Sequence, residues 1–463
     1  MPRYPALCAL ALLIIWVFAP AGCGKRDSSN GDSDSGQIQE RETAWFLEIA
    51  SELGLDFVHE SGVQGDYFLP EITGSGGAIF DYDNDGYLDV YLVQSESLAG
   101  KQDSRNRLFR QSPDGRFSDT TEEAGVGDPG YGMGTAVGDI DNDGDLDILV
   151  TNYGRDRLYR NNGGGTFTDI TTEAGIHGSH WSTSAAFCDF DLDSYLDLYV
   201  VTYLTNDPPR ACTTSTGEIE YCGPNAYRGV SDQLYRNNGD GTFSEISEES
   251  GISRVVNKGL GVVCFDFDSD NLPDIFVAND GENNKLWINR GDGTFEDRGI
   301  AFGVAVNIFG KPEASMGIAL GDVDRDLSLD LFLTHLHQET NTLYLGTDGN
   351  ALTDSTATSG LGVSSIPFTG FGAALFDADQ DGDLDLIIAN GRVRKGPDLW
   401  SGSAKPDLPA RLESFLRAYA EPNILMENTG AGKYRDFCGK AGLLCSAVEV
   451  SRGLLTVDID LDG

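Results

Sequence analysis

Seven times along the chain the triplet Asp-x-Asp-x-Asp recurs, beginning at Asp81, Asp139, Asp189, Asp266, Asp322, Asp377 and Asp458. By subtraction, four of the six intervals are 50 to 58 residues, and the other two, 77 and 81, carry insertions. A repeat of this period means stacked or radial units, each too small to bury its apolar face alone.

Alternate carboxylates on a tight turn also supply the oxygen ligands that a hard divalent cation takes, and clustering them without a cation is costly. In the first copy the ligands are Asp81, Asp83, Asp85, the main-chain carbonyl of Tyr87, and Asp89. The equivalents are Asp139, Asp141, Asp143, Asp145 and Asp147; Asp189, Asp191, Asp193, Tyr195 and Asp197; Asp266, Asp268, Asp270, Leu272 and Asp274; Asp322, Asp324, Asp326, Ser328 and Asp330; and Asp377, Asp379, Asp381, Asp383 and Asp385. A seventh set, Asp458, Asp460 and Asp462, runs into the last residue, Gly463. An EF-hand would need Glu at the twelfth position and flanking helices. Here that position holds Leu92, Val150 and Ile388, and a β run follows, so the motif is a nine-residue calcium loop between strands. Gly86, Gly144 and Gly382 stand sixth, where the turn requires a positive φ. Ser194, Asn271 and Leu327 replace that glycine in loops three to five. With Leu327 at the turn and Arg325 inside it, loop five is expected to be the weakest site.

Each unit reads as four strands. In the second, Gly132–Val137 enters the acidic loop, Leu146–Val150 leaves it, Leu158–Asn162 and Thr166–Ile170 form a hairpin, and Ala174-Gly175-Ile176 closes the unit. Four strands per repeat with glycine-rich turns predict an all-β fold, a seven-bladed β-propeller. Phe46–Ile49 carries the fourth-strand signature ahead of the first loop, so it is expected to supply the outer strand of the last blade. The chain stops inside the seventh loop, and the expectation is a propeller over residues 44–463 with an incomplete last blade, whose open edge would be poorly stable.

Gly-x-Gly-x-Ala, then Asp-x-Asp-x-Asp-Gly-x-x-Asp, then Leu-Tyr-Arg-Asn-Asn-Gly-Asp-Gly-Thr-Phe resembles the FG-GAP/VCBS repeats of integrin-α-like propellers. The ending Thr-x-x-Ala-Gly-Ile and the segment Tyr221-Cys222-Gly223-Pro224 resemble the cartilage acidic protein and ASPIC/UnbV group. The resemblance implies the propeller and its calcium, and a small domain often follows the propeller in that group. It implies little about activity.

With 74 acidic and 32 basic residues the formal charge is −42, which disfavours nucleic acid and anionic membrane surfaces as partners. Residues 1–22 read as an export signal: Arg3, an apolar run from Leu7 to Phe18, then Ala21-Gly22-Cys23, similar to a bacterial lipobox in which Cys23 is lipidated. Pro20 departs from that pattern, and plain secretion is the alternative. Residues 23–43 form a flexible tether. The cysteines suit an oxidising compartment. Cys212 with Cys222 and Cys438 with Cys445 are the expected disulfides. Cys188 and Cys264 fall one register apart in neighbouring units, on opposite sheet faces, and are expected to be buried free thiols.

Strand alternation puts the acidic loops and the third-to-fourth hairpins on one side and all other connections on the opposite rim. Both insertions, about 203–232 and 391–422, lie on that rim, the second with a short helix from Leu408 to Ala420. So do all five histidines, of which His335 and His337 stand close enough to point together. Trp400, Tyr203, Tyr221 and Tyr227 beside Arg392, Arg394 and Lys395 form an aromatic and basic mixture suited either to sugars and acidic groups or to packing the loop down. No nucleophile elbow, metalloprotease helix or phosphate loop is present, and no catalytic residue is identified. The expected function is a calcium-stabilised, surface-anchored or secreted binding or adhesion module, a monomer when complete, with glycan or surface protein as its partner. The alternative is a carbohydrate-active or other extracytoplasmic enzyme on the same scaffold.

Overall fold

The computed structural model describes residues 44–63, 67–95, 104–208, 210–214, 216–347, 351–399 and 417–460. The expected export segment, Cys23, the expected tether, Trp400, Asp462 and most of the expected 408–420 helix lie outside them. Among the described residues the same four-stranded antiparallel unit recurs six times. In unit one the strands are Gly77–Phe80, Asp89–Leu92, Arg107–Gln111 and Phe117–Asp119. Their neighbours follow sequence order, as in a meander, because every connection joins adjacent antiparallel strands. The inner strands of units two to six are Gly132–Gly138, Ser179–Cys188, Gly259–Phe265, Ile318–Gly321 and Gly370–Phe376. Units two and three share a sheet because their long strands pair from Tyr153 opposite Trp181 to Arg155 opposite Ser179.

The second strands have an apolar run behind a leading aspartate and are buried on both faces, as in Asp197–Thr202 and Asp274–Asn279. Each must therefore be covered by a neighbouring unit on either side. Tyr91 and Val93 of unit one pack on Ile148, Val150 and Phe167 of unit two, and such cores repeat from unit to unit. Beyond unit six, Phe46 is buried with Leu425 and Phe437; ahead of unit one, Leu55 and Ile459 are buried with Val90, Leu92 and Phe109.

After the outer strands of units one, three, four and five comes a four-residue helical turn ended by a left-handed glycine, as in Thr121–Ala124 with Gly125. Ala50–Leu53 with Gly54 is the same device, so the N-terminal segment has the closing signature of a unit. These glycines press on the outer strand of the next unit. A Cβ on Gly54 would lie 2.5 Å from the Phe117 carbonyl oxygen, and one on Gly442 would lie 3.1 Å from that of Phe46. An amide ladder runs the other way. Asn161 donates to the Tyr82 carbonyl, Asn237 to that of Ile140, Asn289 to that of Phe190 and Asn428 to that of Val323. Gln111 of unit one donates likewise to the Ile459 carbonyl. Residues in or just ahead of the inner strands of the six units, with Arg452-Gly453, together line a channel of about 230 Å³.

Candidate metal centres and the opposite rim

In the acidic loops the first aspartate organises the turn: Asp139 accepts from the main-chain N–H groups of Asp143 and Gly144, and Asp143 accepts from that of Asp145. The ninth aspartate anchors loop to sheet, Asp147 accepting from Ile140 and from Asn161 in the third strand. Loops one, three, four, five and six repeat both bonds of the ninth aspartate. The result brings one carboxylate oxygen from each of Asp139, Asp141 and Asp147 within 4.8 Å of one another, and likewise Asp189, Asp191 and Asp197; Asp266, Asp268 and Asp274; Asp322, Asp324 and Asp330. In loop one the grouped set is Asp81, Asp83 and Asp85, and Arg110 reaches over to bond Asp83 at 2.5 Å and Asp85 at 2.6 Å.

Burial pushes the ninth carboxylates up, to about 7 for Asp89, Asp147, Asp197 and Asp274 and to about 6 for Asp330 and Asp385. Their loop neighbours' charges add to that, and the main-chain donors only partly offset it. A bound cation inverts this balance. Buried oxygens Oδ1 of Asp83 and Oδ1 of Asp141 have no hydrogen-bond partner, in a protein interior where such atoms are normally satisfied. Hard oxygen donors, converging and unsatisfied, fit a divalent cation, and these residues would hold it.

The sixth position has φ of 70 to 92° in all six described loops, including Ser194, Asn271 and Leu327. Sequence reasoning missed that the fourth position is also left-handed, with φ of 58 to 61° at Asn84, Asn142, Leu192, Ser269, Arg325 and Gln380. Two of those side chains tie neighbouring loops together: Asn84 donates to Asp145, and Asn142 to the Ser194 carbonyl. Arg325 likewise leaves its own loop and pairs with Asp383 of loop six at 3.0 Å. Asp458 and Asp460 are present at the described end of the chain.

On the opposite rim the two insertions meet. The hairpin Ala211–Thr213 with Ile219–Tyr221, stapled by the Cys212–Cys222 disulfide, receives the second insertion through Lys395, which donates to Glu220 and to the Ile219 carbonyl. Tyr221 is buried, donates its hydroxyl to Glu71, and packs edge-on against Tyr67 and Tyr419. Edge-to-face contacts of 5.0 to 6.3 Å then run from Phe68 through Tyr131, Tyr153 and Trp181 to Tyr203. Tyr203 and Tyr221 thus belong to the packed underside of a roof over the channel, the second of the two roles their sequence context allowed.

Several expected rim residues are not available to a ligand. Arg392 is buried in an ion pair with Glu421 at 2.8 Å. His335 is buried with Nε2 3.1 Å from the Thr342 hydroxyl, and burial holds it neutral, down to about 4; His59 is buried similarly against Ser95. His337 is half-buried, lowered by burial and by Arg394 and Arg392. Arg394 is exposed. Cys438 is bonded to Cys445. Cys188 and Cys264 are free thiols, yet they touch, because opposite faces of consecutive sheets are the faces that pack together.

Comparison with known proteins agrees with this repeat structure. The FG-GAP-like repeat matches residues 81–150, 139–200, 222–277 and 266–333, together half of the chain. Cartilage acidic protein 1 of Xenopus tropicalis is 28% identical over 181 residues, covering 35% of this chain and 26% of that protein. The Mus musculus protein is 29% identical over 236 residues, 47% of this chain and 35% of its own. The chain therefore spans only a quarter to a third of the curated relatives it matches. Among solved structures, an Agrocybe aegerita lectin described as recognising non-reducing terminal N-acetylglucosamine overlaps 81% of this chain and 84% of its own at 16% identity, with a TM-score of 0.39, too loose to carry an argument. No helix among the described residues is long and apolar enough to cross a membrane. On its repeated loops, its four-stranded units and the matches across half its length, this chain belongs to the family of FG-GAP-like repeat proteins.

Proposed function

We propose that the chain is an extracytoplasmic binding or adhesion module, built as a seven-bladed propeller whose acidic loops hold structural calcium and whose insertion-bearing rim meets a glycan or protein. Residues 1–22 direct export, Cys23 carries a lipid anchor and residues 23–43 tether the propeller to it. Two disulfides support the oxidising setting. Seven blades are supported by the glycine contacts, which join unit six to Phe46 and the N-terminal segment to unit one as they join the other neighbouring units, and by the amide ladder, which joins unit one to Ile459 as it joins the other described pairs except units four and five.

The observation that carries the reading is the division of labour between the faces. The aspartate loops sit at one end of the sheets, bonded to one another and to their own strands. Both insertions converge at the other end, over the channel, and long loops on a rigid scaffold are where binding concentrates. A screen of the calcium-loaded protein against glycans and purified extracellular proteins tests this, repeated with the 391–422 insertion shortened and with Arg116→Ala in a third-to-fourth hairpin. Binding lost with the first change and kept with the second is expected. The reverse pattern would place the ligand on the calcium side.

A further inference from the structure

Between the roof and the channel lies a second cavity of about 370 Å³, within the range of roughly 300–1,000 Å³ that small-molecule sites occupy. Its floor is apolar: Ile72, Leu260, Met316 and Phe371 from four different units. Its walls are not. Asp280 follows the second strand of unit four and takes one hydrogen bond, from the Tyr203 hydroxyl, on a single carboxylate oxygen. Its side chain is accessible from the cavity although protein surrounds it, and burial raises its pKa. Glu339 stands close enough for the two carboxylates to feel each other's charge. Its Oε2 is held by the Ala314 N–H. From the roof, Arg394 faces both acids and His337, and among the described residues no acceptor lies within hydrogen-bonding distance of its guanidinium.

We propose that this cavity, bounded by Tyr203, Tyr221, Asp280, Glu339 and Arg394, binds a neutral polyhydroxylated ligand, the end of a glycan one or two sugar rings long. The inference rests on the binding-module reading and locates its site. The charges decide the class. Asp280 and Glu339 face Arg394 and Lys258, the latter held by Asn225 and Glu282, so the cavity has little excess charge with which to recruit an ion. It does hold acceptors on one wall and a guanidinium with free donors on another. A hydroxyl group donates and accepts at once, so a ring bearing several can satisfy both walls, whereas an apolar or singly charged ligand leaves one wall unpaired. The C–H face of a sugar then lies on the apolar floor and the tyrosine rings.

Saturation-transfer NMR on the calcium-loaded chain, with a panel of neutral mono- and disaccharides of hexoses, deoxyhexoses and N-acetylhexosamines, tests the proposal. At least one sugar is expected to bind. Arg394→Ala, at an exposed position, and Asp280→Asn, which keeps the side chain's shape, are each expected to weaken it about ten-fold or more. Arg116→Ala, on the far face, leaves it unchanged. If no sugar binds a protein whose melting temperature still rises with calcium, the cavity proposal fails and the calcium-stabilised module stands. Binding equal in wild type and both cavity variants also overturns it. Sugar binding that both variants abolish in a protein indifferent to calcium supports the cavity and sinks the calcium reading instead.

Discussion

Left-handed backbone at two positions of all six described acidic loops sets a different strain in each loop. Glycine meets it freely at Gly144 and Gly382, and asparagine at little cost, but a leucine in that region costs roughly 1–2 kcal/mol. Leu327, at φ 70° and 94% exposed, gains no burial in return. Leu327→Gly is therefore expected to stabilise the calcium-loaded protein by about 1 kcal/mol, read from denaturant midpoints at constant m-value. By the same logic Asp141→Ala should lower the melting temperature more than Asp324→Ala; equal losses would refute the ranking of loop five as weakest. His335 gives a pH signature. Its folded pKa, about 4, lies below the ordinary value of 6.5, so as pH falls from 6.5 toward 4 the unfolded chain binds a proton that the folded one refuses, and stability is lost. The stability advantage of wild type over His335→Asn should shrink between pH 7 and pH 5, and a constant difference would mean that the ring is not held neutral.

The strands, loops and hairpins of each unit could be read from the chain because their determinants are local. Three aspartates at fixed offsets, a glycine where φ must be positive, and an apolar run too short for a helix lie within a dozen residues of one another. The roof was not legible in that way. Nothing near Lys395 in sequence announces that it will bond Glu220, 175 residues away, and the burial of Arg392 depends on Glu421 arriving from the far end of the insertion. Cys188 and Cys264 are free thiols as expected, but their contact was missed for a related reason: the register argument gave the faces of each sheet and not that those faces meet. The 211–221 hairpin also has little core of its own, its strands being mostly exposed up to the buried Tyr221. Opening the Cys212–Cys222 link with Cys212→Ser should lower the local stability of the 211–221 hairpin by roughly 2–3 kcal/mol, since a short closed loop is freed. Faster amide exchange confined to that hairpin, with the propeller melt little changed, is the expected observation.

At the scale of the whole molecule, the acidic loops and the contacts between neighbouring units are coupled. A chain of formal charge −42 folds its acids into repeated clusters on one face and still packs neighbouring units tightly, although each loop forces like charges together. Each ninth aspartate is bonded to its own third strand, and each Asn161-type amide reaches the loop of the preceding unit. Loss of a cation from one loop is thus expected to be felt across two units. The central claim is that divalent cations hold these loops, and it is tested most directly by calorimetric melting of one sample as prepared, after exhaustive chelation with metal content measured, and after calcium is restored. Because a cation that binds only the folded form stabilises it by mass action, several sites together should make the melting temperature fall by about 10 °C or more on chelation and return with calcium. An unchanged melt in a sample verified to be free of metal would contradict the account.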